Sequence, residues 1–99
     1  MKVIVDLCLV PLGVGVSVSK EVAECQKIFK EFDLNYKMHG YGTNLEGEWD
    51  QVMAAIKACH ERLHLSGVPR ITSSLRMGTR VDRAQGLDDK VRSVEDKLK

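Results

Sequence analysis

Residues 39–47 read His39-Gly40-Tyr41-Gly42-Thr43-Asn44-Leu45-Glu46-Gly47, three glycines in nine positions. Glycine allows tight turns and close backbone approach, and it weakens any helix that tries to run through it. The chain must therefore reverse here. The segments on either side are strongly patterned, so the stretch reads as the end of one strand, a turn, and a short strand leading into a helix. It divides the sequence into two similar halves, each a strand followed by a helix.

The first half opens with Lys2 to Val10, where Val3, Val5, Leu7 and Leu9 alternate with Ile4, Asp6, Cys8 and Val10. Both faces of this strand are largely apolar, the pattern of a strand covered on both sides. Asp6 interrupts the second face, either at a wet sheet surface or against a polar ligand. Pro11-Leu12-Gly13 is expected to end the strand. A loop of Gly, Val and Ser follows, in which Ser17 or Ser19 is placed to cap the next helix or to share its free N–H groups with a polar or anionic ligand. No G-x-x-x-x-G-K-[ST] pattern is present. A helix over residues 18–32 presents Val18, Val22, Cys25, Phe29 and Phe32 on one face.

The second strand covers residues 34–41 and the third residues 43–47, followed by a helix over 48–65. That helix has a stripe of Trp49, Val52, Met53, Ile56, Cys59 and Leu63. His60 and His64 share a face at a spacing able to bind zinc. With no H-E-x-x-H and no third ligand, His60 reads as a hydrogen-bonded structural residue and His64 as a solvent-facing one. Gly67 and Pro69 stop the helix. Residues 70–77 form a fourth strand with Arg70, Thr72, Ser74 and Arg76 on its polar face, and Gly78 is expected to end it. A helix over 84–98 carries a thin stripe of Leu87, Val91, Val94 and Leu98.

The order β-α-β-β-α-β-α predicts one α+β domain over residues 1–99, a ferredoxin-like sandwich with a four-stranded antiparallel sheet plus a C-terminal helix. Right-handed crossovers put both main helices on one face. The other face, with Ile4, Asp6, Cys8, Val10, Thr72 and Arg76, is then open, and an open apolar sheet on so small a chain predicts self-association. A net charge of +1 gives no broad field for nucleic acid or an anionic membrane. The strands also lack the paired aromatics that stack RNA bases. Three cysteines without a C-x-x-C pair read as small core residues in a reducing compartment. The N-terminal run is neither a signal peptide nor a spanning segment, so a cytoplasmic location is expected. No nucleophile–base pair is visible in the sequence.

The ordered set Asp6-Leu-Cys-Leu-Val-Pro11-Leu12-Gly13, Ser17-Val-Ser19, Gly42-Thr43-Asn-Leu45-Glu46-Gly47, Ala58-Cys-His60-Glu61, Arg70 to Arg76 and Asp89-Lys90-Val91 resembles the small thiamine-binding protein family over nearly the whole chain. The resemblance implies a non-catalytic homodimer or homotetramer, paired through its sheets, that binds thiamine or its hydroxymethylpyrimidine part. No metal and no cofactor is expected. The ligand contacts the resemblance implies are Asp6, Ser17, Ser19, Gly42, Thr43 and Glu46. Arg76 is a further candidate ligand-binding residue; with Arg80 it could instead hold an anion such as sulfate or phosphate, at a contact between subunits. An aminopyrimidine edge wants donors and acceptors, a thiazolium wants a carboxylate, and a flat ring wants an apolar wall. The alternatives are an anion-regulated structural oligomer and an enzyme of unidentified chemistry.

Overall fold

The computed structural model describes all 99 residues. Seven elements follow one another: β1 (Lys2–Leu12), α1 (Ser19–Glu31), β2 (Asn35–His39), β3 (Gly42–Glu48), α2 (Trp49–Leu65), β4 (Arg70–Thr79) and α3 (Leu87–Lys97). The four strands form one antiparallel sheet in the order β2-β3-β1-β4, the expected ferredoxin-like arrangement.

Alternation along β1 fixes the two faces. Val3, Val5 and Leu7 are buried beneath the helices with Leu45 of β3. Cys25, Ile28 and Phe29 of α1 and Val52, Ala55, Ile56, Cys59 and Leu63 of α2 close over them. Burying each large aliphatic or aromatic side chain contributes about 1.5–3 kcal/mol, so this layer dominates the stability. Trp49 and Met53 pack against the cluster only in part. Ala55 and Ile28 belong to it although neither lies on the expected stripes. The three cysteines are free, two of them in the core. α2 ends with Gly67 at φ +106°, a left-handed position suited to glycine.

Several boundaries differ from expectation. β1 continues through Pro11 to Leu12 because Pro11 sits opposite Ile71 at a point where β3 has already ended, so its missing N–H breaks no ladder on that side. β4 continues through Gly78 and Thr79, which lie opposite Ile4 and Val3. α1 is preceded by Val18 as its N-cap residue, with no side-chain cap; Ser17 and Ser19 bond each other through their hydroxyls at 3.0 Å instead. His64 is exposed, as expected, and its Nδ1–H also donates to the Val68 carbonyl at 2.7 Å.

The face away from α1 and α2 is not fully open. α3 reaches it, and Glu46 of β3 explains how. Glu46 is 8% exposed, its Oε2 accepts the N–H of Leu87, and its Oε1 lies 3.4 Å from Lys2 Nζ. The carboxylate thus satisfies one of the free N–H groups at the start of α3 and faces the positive end of its dipole. Asp89 Oδ2 accepts the Gly86 N–H at 2.6 Å in the same turn. Of the expected α3 stripe only Leu87 is buried; Val91, Val94 and Leu98 are exposed.

Candidate functional site

The clearest concavity lies where β3 stops short. β1 pairs with β3 only as far as Leu7, opposite Thr43, while β1 itself runs on to Leu12. Beyond Leu7 its edge on the β3 side has no strand partner. The notch is walled by the loop before α1, by the first turns of α1, and by the β2–β3 turn. The result is a cleft of about 760 Å³, a size suited to a small organic molecule.

Gly42 allows this shape. A Cβ there would come 2.4 Å from the Leu7 carbonyl oxygen and 3.4 Å from His39 Cε1, so any other residue would push β3 away from β1 at the rim. The same absence of a side chain lets His39 lie across the sheet. His39 Nε2–H donates to Asp6 Oδ1 at 2.7 Å, and Nδ1 accepts the Tyr41 N–H at 3.3 Å. In this arrangement Nδ1 is the ring's acceptor and Nε2 its donor. Asp6 thus touches His39, which lines the cleft, without lining it itself.

Leu7, Leu9, Val22, Phe29 and Met38 make most of the cleft apolar. Its deepest polar group is a pair: Gln26 Nε2–H of α1 donates to Thr43 Oγ1 at 2.9 Å, and Thr43 is 5% exposed. Cys25 also reaches the wall, with Cys59 behind it. The Cys59 thiol donates to Cys25, and that bond together with burial pushes Cys59 far above the ordinary thiol range.

Six of the seven residues singled out from the sequence line one of two places. Ser17, Ser19, Gly42 and Thr43 line the cleft together. Asp6 and Arg76, opposite each other on β1 and β4, line a second groove of about 680 Å³ on the other face of the sheet. Lys2, Asn44, Arg80, Gln85 and Lys90 are around them. Arg80 is held by Asp82, with bonds of 2.6 and 2.9 Å, and by Gln85 at 2.7 Å. Glu46 is engaged with α3 and Lys2, as described above. Gln26 was not among the sequence candidates. A glutamine on the wet flank of a helix stripe looks like any solvated residue, and only the pairing with Thr43 marks it.

The His60–His64 pair is committed to structure: His60 Nε2 and Ser73 Oγ share a bond of 2.7 Å, and His64 binds Val68. No helix is long and apolar enough to cross a membrane.

Residues 5–95 match the family model described as thiamine-binding protein. The chain belongs to that family. It is 65% identical over 95 residues to the UPF0045 protein sll0230 of Synechocystis, covering 96% of this chain and 78% of the relative. The fungal UPF0045 protein ECM15 of Eremothecium gossypii is 46% identical, covering 96% of this chain and 91% of that one. Among solved structures, the MJ1052 protein of Methanocaldococcus jannaschii superposes with a TM-score of 0.86 at 35% identity, covering 95% of this chain and 96% of that one. A Thermotoga maritima protein, assigned as a candidate to thiamine biosynthesis or salvage, has the same fold, with a TM-score of 0.80 at 18% identity over 95% of this chain and 99% of its own.

Proposed function

We propose that this family member binds thiamine or its hydroxymethylpyrimidine part without transforming it, in the cleft between β1, α1 and the β2–β3 turn, and does so as a homo-oligomer. The observation that carries this reading is the cleft itself: a mostly apolar notch with the Gln26–Thr43 pair inside it, on a chain of the thiamine-binding family. Apolar side chains suit the faces of a flat ring, while a few fixed polar groups suit its edge. Ser17, Ser19, Gly42 and Thr43 belong to this site, with Asp6 bonded to His39, which lines it.

Titration calorimetry with thiamine and with hydroxymethylpyrimidine tests the reading. Saturable heat is expected with the wild-type chain. Val22→Trp, which fills the cleft, should abolish it; Arg76→Ala, in the groove on the other face, should leave it in place. A wild-type chain that gives neither heat nor thermal shift with either compound would end the proposal.

A second reading concerns that other groove. Lys2, Arg76, Arg80 and Lys90 gather there, a cationic set able to hold sulfate or phosphate. We assign Arg76 and the groove to an anion or a contact between subunits, separate from the pyrimidine site.

A further inference from the structure

We propose that the cleft selects a neutral amino-substituted heteroaromatic ring, read along its edge by the side-chain amide of Gln26, which Thr43 holds in place. This deepens the proposed function and rests on it. Three observations carry it.

The first is charge. None of the 18 residues lining the cleft is Asp, Glu, Lys or Arg. A permanent cation inside it would lose hydration and meet no counter-charge, which is unfavourable. His39 offers none, since an imidazole is neutral or cationic, and both its nitrogens are already bonded, to Asp6 and to the Tyr41 N–H. The sequence supplied two carboxylates for a thiazolium, but the fold turns Asp6 and Glu46 to the other face of the sheet. The cationic half of thiamine therefore stays at the mouth, and the neutral pyrimidine half goes in.

The second is the inventory of polar groups. The hydroxyls of Ser17 and Ser19 bond each other at the exposed rim. Tyr41 is 91% exposed. Inside, Gln26 gives one Nε2 proton to Thr43 and has a second proton and its whole Oε1 without a partner in the chain. An amide presents an acceptor and a donor side by side. That is the complement of a ring nitrogen next to an exocyclic amino group, the pairing by which glutamine reads adenine.

The third is the wall. Leu7 and Leu9 of β1 and Val22 and Phe29 of α1 stand with Gln26 around the same cleft. An apolar surround suits ring faces and strengthens the edge bonds by excluding water.

Calorimetry on the full chain with three probes tests this: hydroxymethylpyrimidine, the same pyrimidine lacking its amino group, and thiamine. In the wild type the amino-free ring should bind about 10- to 100-fold more weakly than hydroxymethylpyrimidine, the effect of leaving a buried amide unpaired. Gln26→Leu should weaken hydroxymethylpyrimidine by a similar factor and leave the amino-free ring nearly unchanged. A merely structural Gln26 would lower both equally. Thr43→Val should fall between wild type and Gln26→Leu. Thiamine should bind no more tightly than hydroxymethylpyrimidine. Should Gln26→Leu fail to fold by circular dichroism, the isosteric Gln26→Glu carries the test. It keeps an acceptor but offers the ring nitrogen no donor, so its affinity should drop and recover at a pH low enough to protonate the ring. Equal losses for both pyrimidines, no loss at all, a pH-independent Gln26→Glu, or thiamine bound more than about tenfold tighter would each overturn the inference while leaving the proposed function standing. Silence of the wild type towards every probe would overturn both.

Discussion

His60 shows how one residue sets a pH dependence. It lies on the face of α2 that meets β4, bonded to Ser73, and burial followed by the nearby His64 charge holds its pKa below the usual 6.5. A histidine with a lowered folded pKa favours the neutral form in the fold. Above the ordinary value both states are neutral and the contribution is complete. As pH falls below it the unfolded chain takes the proton first, and stability is lost until the folded pKa is reached. The urea midpoint should therefore drop as pH falls through about 6.5, the ordinary histidine value, and His60→Gln should show a smaller drop. An equal drop in the variant would remove His60 as the cause. Gly42 is the opposite kind of residue, important for what it lacks: the space its Cβ would need is filled by the Leu7 carbonyl and approached by His39.

At the scale of elements, α3 is the informative case. It has exposed valines along its length and one buried residue, Leu87, so its packing alone holds it weakly. Its attachment depends on a carboxylate from another element, Glu46 of β3, bonded to the N–H of Leu87. Losing a cap of this kind costs about 0.5–2 kcal/mol. Glu46→Ala should speed amide hydrogen exchange across Leu87–Lys97 while exchange in β1 and β3 stays slow. Glu46→Gln, which still accepts a hydrogen bond, should have a smaller effect. Unchanged exchange in both variants would show that α3 is held by something else.

For the whole molecule, the feature that matters is the part of the second sheet face that α3 does not shield. Val10 and Leu12 are 40% and 37% exposed there, and Val94 of α3 is 59% exposed. Apolar surface of this kind on a small chain favours association. Sedimentation at micromolar concentration should give a species heavier than the 11.1 kDa chain. Leu12→Glu should shift it towards the monomer with its circular dichroism unchanged. A wild-type monomer would remove the assembly from the proposed function but leave the cleft, which one chain builds by itself.

The sequence by itself determined the fold. The period-two alternation of β1, the helical stripes and the glycine turn each allow one local structure, and their order allows one compact arrangement. The family resemblance pointed to Ser17, Ser19, Gly42 and Thr43, and the fold gathers these four around one cleft. What the sequence left undecided was which face each polar residue would serve. Asp6 and Glu46 looked like carboxylates for a ligand, yet strand register turned them to the opposite face, where a histidine 33 residues away and a helix start 41 residues away took them up. Gln26 had no local signal at all. Its partner is 17 residues distant, and such contacts exist only after the sheet has paired and the helix has docked on it. Local pattern is written residue by residue, but the complement of donors and acceptors in a cleft is a property of surfaces brought together from distant parts of the chain.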